Sequence, residues 1–151
     1  MIADEEHLSR NLLKSSLSYW GCDVVTVHSA DEAYTALHAG NVDVCILNWE
    51  ISGLKALEMC QWIRQADLKL EPHIIVLTDK TSRENIRAAY LAGANDYLTK
   101  PLRVEDMRTR ISAIASKVSQ VNSLHWALGR LDPLECYRMD LASHAKVHNR
   151  I

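Results

Sequence analysis

The feature that most limits how this chain can fold is an alternation in its first two thirds. Short apolar runs, at 1–3, 22–28, 42–47, 73–77 and 97–98, take turns with amphipathic stretches of helical length at about 6–19, 31–39, 54–66 and 83–92. Valine and isoleucine dominate three of the runs with no polar residue in alternation, the pattern of strands buried on both faces. Gly21, Gly40 and Gly93 stand just past three of the helical stretches, where a left-handed C-cap wants a residue without Cβ. Ser29 and Asp31 open the second stretch and Ser82 the fourth, as N-cap residues do. Five strands alternating with helices predict a parallel α/β sheet, since parallel neighbours need helical crossovers. Right-handed crossovers then place helices on both faces. The first strand is short: three residues precede Asp4, where a central strand has about five or six.

The last third differs in kind. Val104, Met107, Ile111, Ile114, Val118, Val121, His125 and Leu128 recur in steps of three and four, a heptad pattern that Gly129 ends. Asp132-Pro133-Leu134-Glu135 then has the form of a new helix start, for a helix reaching about Lys146. The expected organisation is one domain over 1–118 and a helical extension or linker over 119–151. Val104, Met107, Ile111 and Ile114 are expected to pack against the sheet. The later heptad positions would be an exposed apolar stripe, so they need either a second copy or the final helix folded back. A homodimer through the fourth and fifth helices and the extension is the favoured expectation.

Composition removes several functions. Seventeen basic against nineteen acidic residues give a net charge of -2, which leaves no electrostatic footprint for nucleic acid or an anionic membrane. No apolar run reaches the length of a membrane span, and the acidic MIADEEHLSR opening is unlike a signal peptide. Cys22, Cys45, Cys60 and Cys136 have no metal-like spacing and read as reduced thiols, mostly buried, in a cytoplasmic protein. His144 and His148, spaced i, i+4, lack a third ligand in register and read as a solvated pair.

In an open parallel sheet, ligands bind beyond the carboxyl ends of the strands. Those ends carry Asp4 and Glu5, then Asn48, Thr78 and Lys100. Two carboxylates, an amide, a hydroxyl and an ammonium on one rim suit Mg²⁺ with a phosphoryl group.

The segments IADEEHLSR, VDVCILNWEISGLKALEMCQWIR, IIVLTD and GANDYLTKPL, in this order and spacing, resemble the CheY-like receiver domain of bacterial two-component response regulators over about 1–118. The resemblance implies a flavodoxin-like, doubly wound five-stranded sheet in order 2-1-3-4-5. It also implies an aspartate after the third strand that takes phosphate from a histidine kinase, and Mg²⁺ held at Asp4, Glu5, Asn48 and Glu50. Thr78 and Lys100 would bind phosphoryl oxygens, Tyr97 would be the aromatic that rotates inward on activation, and the Lys100–Pro101 bond would be cis. Several positions depart from that pattern. The phosphoacceptor position holds Asn48, whose neutral carboxamide is a poor nucleophile and a weaker cation ligand. Glu5 replaces an aspartate, Asp79 a small residue, Ser52 a proline and Ala56 a glycine. Together they point to a pseudo-receiver: not an enzyme, but a module that signals through protein contacts, with Mg²⁺ binding weakened. One alternative takes Asn48 as an engineered replacement of aspartate in a phosphoacceptor that controls a C-terminal output. Such an output could be a diguanylate cyclase, whose entry Asp132-Pro133-Leu134 resembles. Another is a small-molecule-binding flavodoxin-like domain lined by Glu5, Asn48 and Trp49, although no phosphate-cradling glycine loop follows the first strand.

Overall fold

The computed structural model describes residues 1–40, 42–52 and 54–127, without the side chains of 118–127. Its elements are β1 (Ile2–Ala3), α1 (His7–Tyr19), β2 (Thr26–Val27), α2 (Ala30–His38), β3 (Val44–Asn48), β4 (Glu50–Ile51), β5 (Leu54–Lys55), α3 (Ala56–Gln65), β6 (His73–Thr78), α4 (Arg83–Leu91), β7 (Asp96–Thr99) and α5 (Val104–Ala127). The main sheet is all parallel in the order β2-β1-β3-β6-β7, the predicted 2-1-3-4-5 winding. Right-handed connections put α1 on one face and α2, α3 and α4 on the other, because the winding reverses after β2. The rings of Tyr34 on α2 and Trp62 on α3 touch, with centroids 4.7 Å apart, as neighbours on one face must.

Burial on both faces explains the unbroken apolar runs. Cys45, Leu47, Ile74 and Val76 join a core with Leu37 of α2, Met59, Cys60 and Ile63 of α3, and Ala89 of α4. The alternate residues Ile2, Ile46, Ile75 and Leu77 point the other way and are buried to 2 % exposure or less. The second run behaves differently. Only Thr26 and Val27 pair, against Ile2 and Ala3, and Val25 is 51 % exposed. This strand lies at the sheet edge beside a two-residue partner, so its ladder can be no longer and half of its surface faces water.

The caps follow the sequence. Ser29 Oγ accepts the Glu32 N–H, while the Glu32 carboxylate accepts the His28 N–H; Ser82 Oγ accepts from Asn85 N. Gly21, Gly40 and Gly93 all have positive φ. At Gly93 (φ 106) there is a second reason for glycine: a Cβ would lie 2.6 Å from Arg64 Cγ. The Arg64 guanidinium is anchored there, donating to the carbonyls of Gly93 and Pro72 and to Asn95 Oδ1.

Two features differ from the sequence expectation in this region. Glu50–Ile51 pairs antiparallel with Leu54–Lys55 as a small ribbon, β4 with β5, so α3 starts at Ala56 rather than at 54. Val104 is 42 % exposed rather than packed, whereas Met107 and Ile114 are buried. The chain divides into two compact units after Met107, within α5, and α5 crosses 118 without a break. The side chains of Val118, Val121 and His125, and the whole of the expected final helix, Leu128, Gly129, Cys136, His144 and His148, lie outside the described residues.

Cys45 and Cys60 are buried as expected, while Cys22 is half-buried. Burial pushes the Cys45 thiol up to about 12 and the Cys60 thiol to about 11, from an ordinary 9.0. Because the folded values are raised, the stability these thiols contribute is complete below pH 9.0 and is lost as pH climbs through about 11 and 12. Urea midpoints should therefore fall above pH 9.0. A Cys45→Ala/Cys60→Ala chain, weaker at neutral pH through its cavities, should fall less steeply over the same range.

Candidate functional site

Strands β1, β3, β6 and β7 end together, and their carboxyl ends carry Asp4, Asn48, Thr78 and Lys100. Asp4 is the centre of the rim. Its side chain is wholly buried, yet its carboxylate has four donors around it. Oδ1 accepts from Glu6 N (2.9 Å) and Asn48 Nδ2 (3.1 Å), Oδ2 accepts from Ser9 Oγ (2.7 Å), and Lys100 Nζ lies 3.8 Å from Oδ2. The Asp4 carbonyl is held in turn by buried Arg10, whose Nη1 donates at 2.6 Å.

Asn48 ends β3 and bridges two loops. Its Nδ2 donates to Asp4 Oδ1 and to the Glu50 carbonyl (3.2 Å), while its Oδ1 accepts the Trp49 N–H (3.0 Å). Two acceptors on one side and a donor on the other decide which way round the amide sits. Trp49 is buried, and its N–H is shared with the Leu77 carbonyl at 2.9 Å.

The remaining rim residues are engaged separately. Glu5 Oε2 accepts from Ser52 N (3.1 Å), and Ser52, at φ 39, donates its hydroxyl to the His28 carbonyl (2.7 Å). The Glu50 carboxylate pairs with Lys80 Nζ at 3.3 Å, and that ammonium lies 5.3 Å from the Trp49 ring centroid. Thr78 is buried, its Oγ1 accepting from Lys80 N (2.9 Å). Lys100 also reaches Glu6 Oε2 at 3.6 Å. Tyr97 is half-buried, Asp79 is exposed, and the Lys100–Pro101 bond is cis.

Of the residues predicted for the site, Asp4, Asn48, Lys100 and the Glu50 backbone come together, while the side chains of Glu5, Glu50 and Thr78 turn to other partners. Among the described residues no three His, Cys, Asp or Glu side chains are grouped to hold a metal ion. Mg²⁺ needs about six oxygens at ~2.0–2.1 Å. Here an N–H₂ donor is aimed at two of the expected oxygens, so the residues as arranged do not fit the ion. Ser9, Arg10, Glu6, Ser52 and Lys80 were not foreseen. Ser52 stands out in the sequence only as a replaced proline, and Ser9 and Arg10 leave a trace as polar residues on the sheet-facing side of an amphipathic helix.

Removing a donor to a buried carboxylate should cost more than removing an exposed pair. Ser9→Ala should lower unfolding stability by about 1–3 kcal/mol, because Asp4 Oδ2 loses its short bond. Lys80→Ala, which breaks an exposed pair, should cost about 1 kcal/mol or less. Urea titration measures both.

Comparisons with known proteins agree with this fold. Residues 1–112 match the family model described as response regulator receiver domain. The phosphate regulon transcriptional regulatory protein PhoB of Rhizobium meliloti is 32% identical over 114 residues, 76% of this chain and 50% of its own length. The response regulator MprA of Mycobacterium bovis is also 32% identical over 114 residues, 76% of this chain and 49% of its own. The chain thus spans about half the length of the curated relatives it matches. Among solved structures, a response regulator from Chloroflexus aurantiacus superposes with a TM-score of 0.71 at 27% identity, covering 76% of this chain and 94% of that one. The receiver domain of a Pseudomonas aeruginosa sensor histidine kinase, described with magnesium in its active-site cleft, shares the fold at TM-score 0.68 and 19% identity, over 76% and 94% of the two chains. With the predicted sheet order and a match over most of its length, the chain belongs to the response regulator receiver domain family of two-component signalling.

Proposed function

We propose that this chain is a pseudo-receiver, a signalling module that works through protein contacts without phosphorylation at Asn48. The observation that carries the reading is the state of the acceptor position. Its side chain is a carboxamide whose nitrogen and oxygen are both committed to hydrogen bonds, to Asp4, Glu50 and Trp49. An amide so held is neither charged nor nucleophilic. Thr78 and Lys100, the residues that would receive a phosphoryl group, are engaged with the Lys80 amide and with Asp4 and Glu6. Receiver domains meet histidine kinases and output domains, and here either kind of partner would read the surface as it stands. Intact-mass measurement after incubation with acetyl phosphate and MgCl₂ should show no phosphoryl adduct, under conditions that label an ordinary receiver. A stoichiometric adduct would overturn the reading.

The partner surface in this proposal includes a second copy of the chain, meeting it through α4, α5 and the residues beyond. Tyr90 and Leu91 of α4 are 47 % and 76 % exposed, and Val104 at the start of α5 is 42 % exposed. Large apolar side chains left in water at such positions favour contact with another surface. Sedimentation of the 151-residue chain should show a dimer at tens of micromolar, and a chain ending at Lys117, which keeps these side chains but loses the residues beyond, should dimerise more weakly. Monomers in both cases would remove the second copy from the proposal.

A further inference from the structure

We propose that the Asn48 carboxamide is a built-in surrogate for the divalent cation: its Nδ2 joins Asp4 to the Glu50 carbonyl, and the folded chain neither needs nor takes up Mg²⁺. The proposal rests on reading Asn48 as a replaced acceptor and adds what the replacement does for the site.

The argument begins with lone pairs. A carboxylate offers about four acceptor directions. Asp4 spends three of them on Glu6 N, Asn48 Nδ2 and Ser9 Oγ, and the Lys100 ammonium, 3.8 Å from Oδ2, faces the remaining side as an ion pair. With the side chain at 0 % exposure, no water competes for a place there. A cation that bridged Asp4 Oδ1 and the Glu50 carbonyl would have to expel the amide nitrogen, which would lose both of its acceptors in the same step. Among the described residues no buried side-chain polar atom lacks a partner, so no buried side-chain oxygen of the rim is left orphaned for an ion to satisfy.

A bridging cation would also join separate loops, and the amide supplies that as well. Asp4 lies in the β1–α1 turn and Glu50 in the segment after β3, and Asn48 Nδ2 bonds both, at 3.1 and 3.2 Å. Two further contacts extend the closure without metal. Glu5, expected as a second ligand, holds the Ser52 N–H, and Ser52 holds the His28 carbonyl of the β2–α2 loop. The Glu50 carboxylate holds Lys80 of the β6–α4 loop. Four loops are thus connected by the chain's own donors and acceptors.

Thermal unfolding of the full chain and two variants tests this, in EDTA and in millimolar MgCl₂ at matched ionic strength. The unmodified chain should melt at the same midpoint in both buffers. Asn48→Ala should melt lower in both, because Asp4 and the Glu50 carbonyl lose a shared donor. Asn48→Asp should melt lower in EDTA, where two carboxylates face each other, and should recover in MgCl₂. A midpoint of the unmodified chain that rises with Mg²⁺ overturns the proposal. So does an Asn48→Ala chain as stable as the original, or an Asn48→Asp chain indifferent to Mg²⁺. None of these outcomes bears on whether phosphate is transferred; the mass measurement with acetyl phosphate decides that separately.

Discussion

One buried charge organises the carboxyl end of this sheet. Asp4 has no exposure to water, and an ionised carboxylate taken out of water is tolerable only if hydrogen bonds and opposite charge replace its hydration. That requirement fixes its neighbours. Glu6 must present its N–H, which sets the turn leading into α1; Ser9 must face inward from the first turn of that helix; and Lys100 must reach across from the end of β7. Asn48 supplies the last donor from the end of β3. The acidic sequence Asp4-Glu5-Glu6 divides its labour accordingly: the first residue is buried and surrounded, and the other two remain exposed, each bonded to a different loop.

The other end of the sheet is secured by one cation. Arg64 on α3 donates to carbonyls before β6 and before β7, and to Asn95 Oδ1, which itself accepts the Ile74 N–H at 2.8 Å. Strands β6 and β7 are therefore tied at their amino ends by a guanidinium and at their carboxyl ends through Thr78 and Lys100, whose backbones are joined by a bond of 2.8 Å. Between the two ties β6 is apolar and almost without exposure from Ile74 to Leu77, and β7 sets buried Leu98 beside it. Among the described residues every buried side-chain polar atom is paired.

How much of this was legible in the sequence follows from the range of each interaction. The strand runs, the glycine C-caps and the serine N-caps are local, so periodicity and single residues revealed them. Sheet order came from resemblance, and the pairing of β1 with both β2 and β3 agrees with it. The length of β2 was not legible, because it is limited by a two-residue partner rather than by its own composition. The rim was half legible: which residues end the strands could be read, but not which way their side chains turn. Glu5, Glu50 and Thr78 have the chemistry expected for ion and phosphoryl binding, yet Ser52, Lys80 and the Lys80 amide hold them. Those partners come from other loops, and no local pattern announces a loop-to-loop hydrogen bond.

The same accounting bears on how such a domain can signal. A ligand shifts a conformational equilibrium only by binding one state better than another. A rim with unpaired carboxylates leaves that difference to a small ligand, since metal or phosphoryl group satisfies charges the protein leaves open. Here the Asp4, Glu5, Glu6 and Glu50 carboxylates are each matched by a donor from the chain itself. On the proposed reading, a small anion or cation arriving at this rim would break bonds the chain already makes, so its differential affinity would be small. A partner protein works under a different constraint: it gains from exposed side chains such as Leu8, Leu12, Tyr90 and Leu91, whose burial needs no rim bond to break. In a receiver whose polar site is satisfied from within, as proposed for this chain, the free energy for switching would therefore come from its surface.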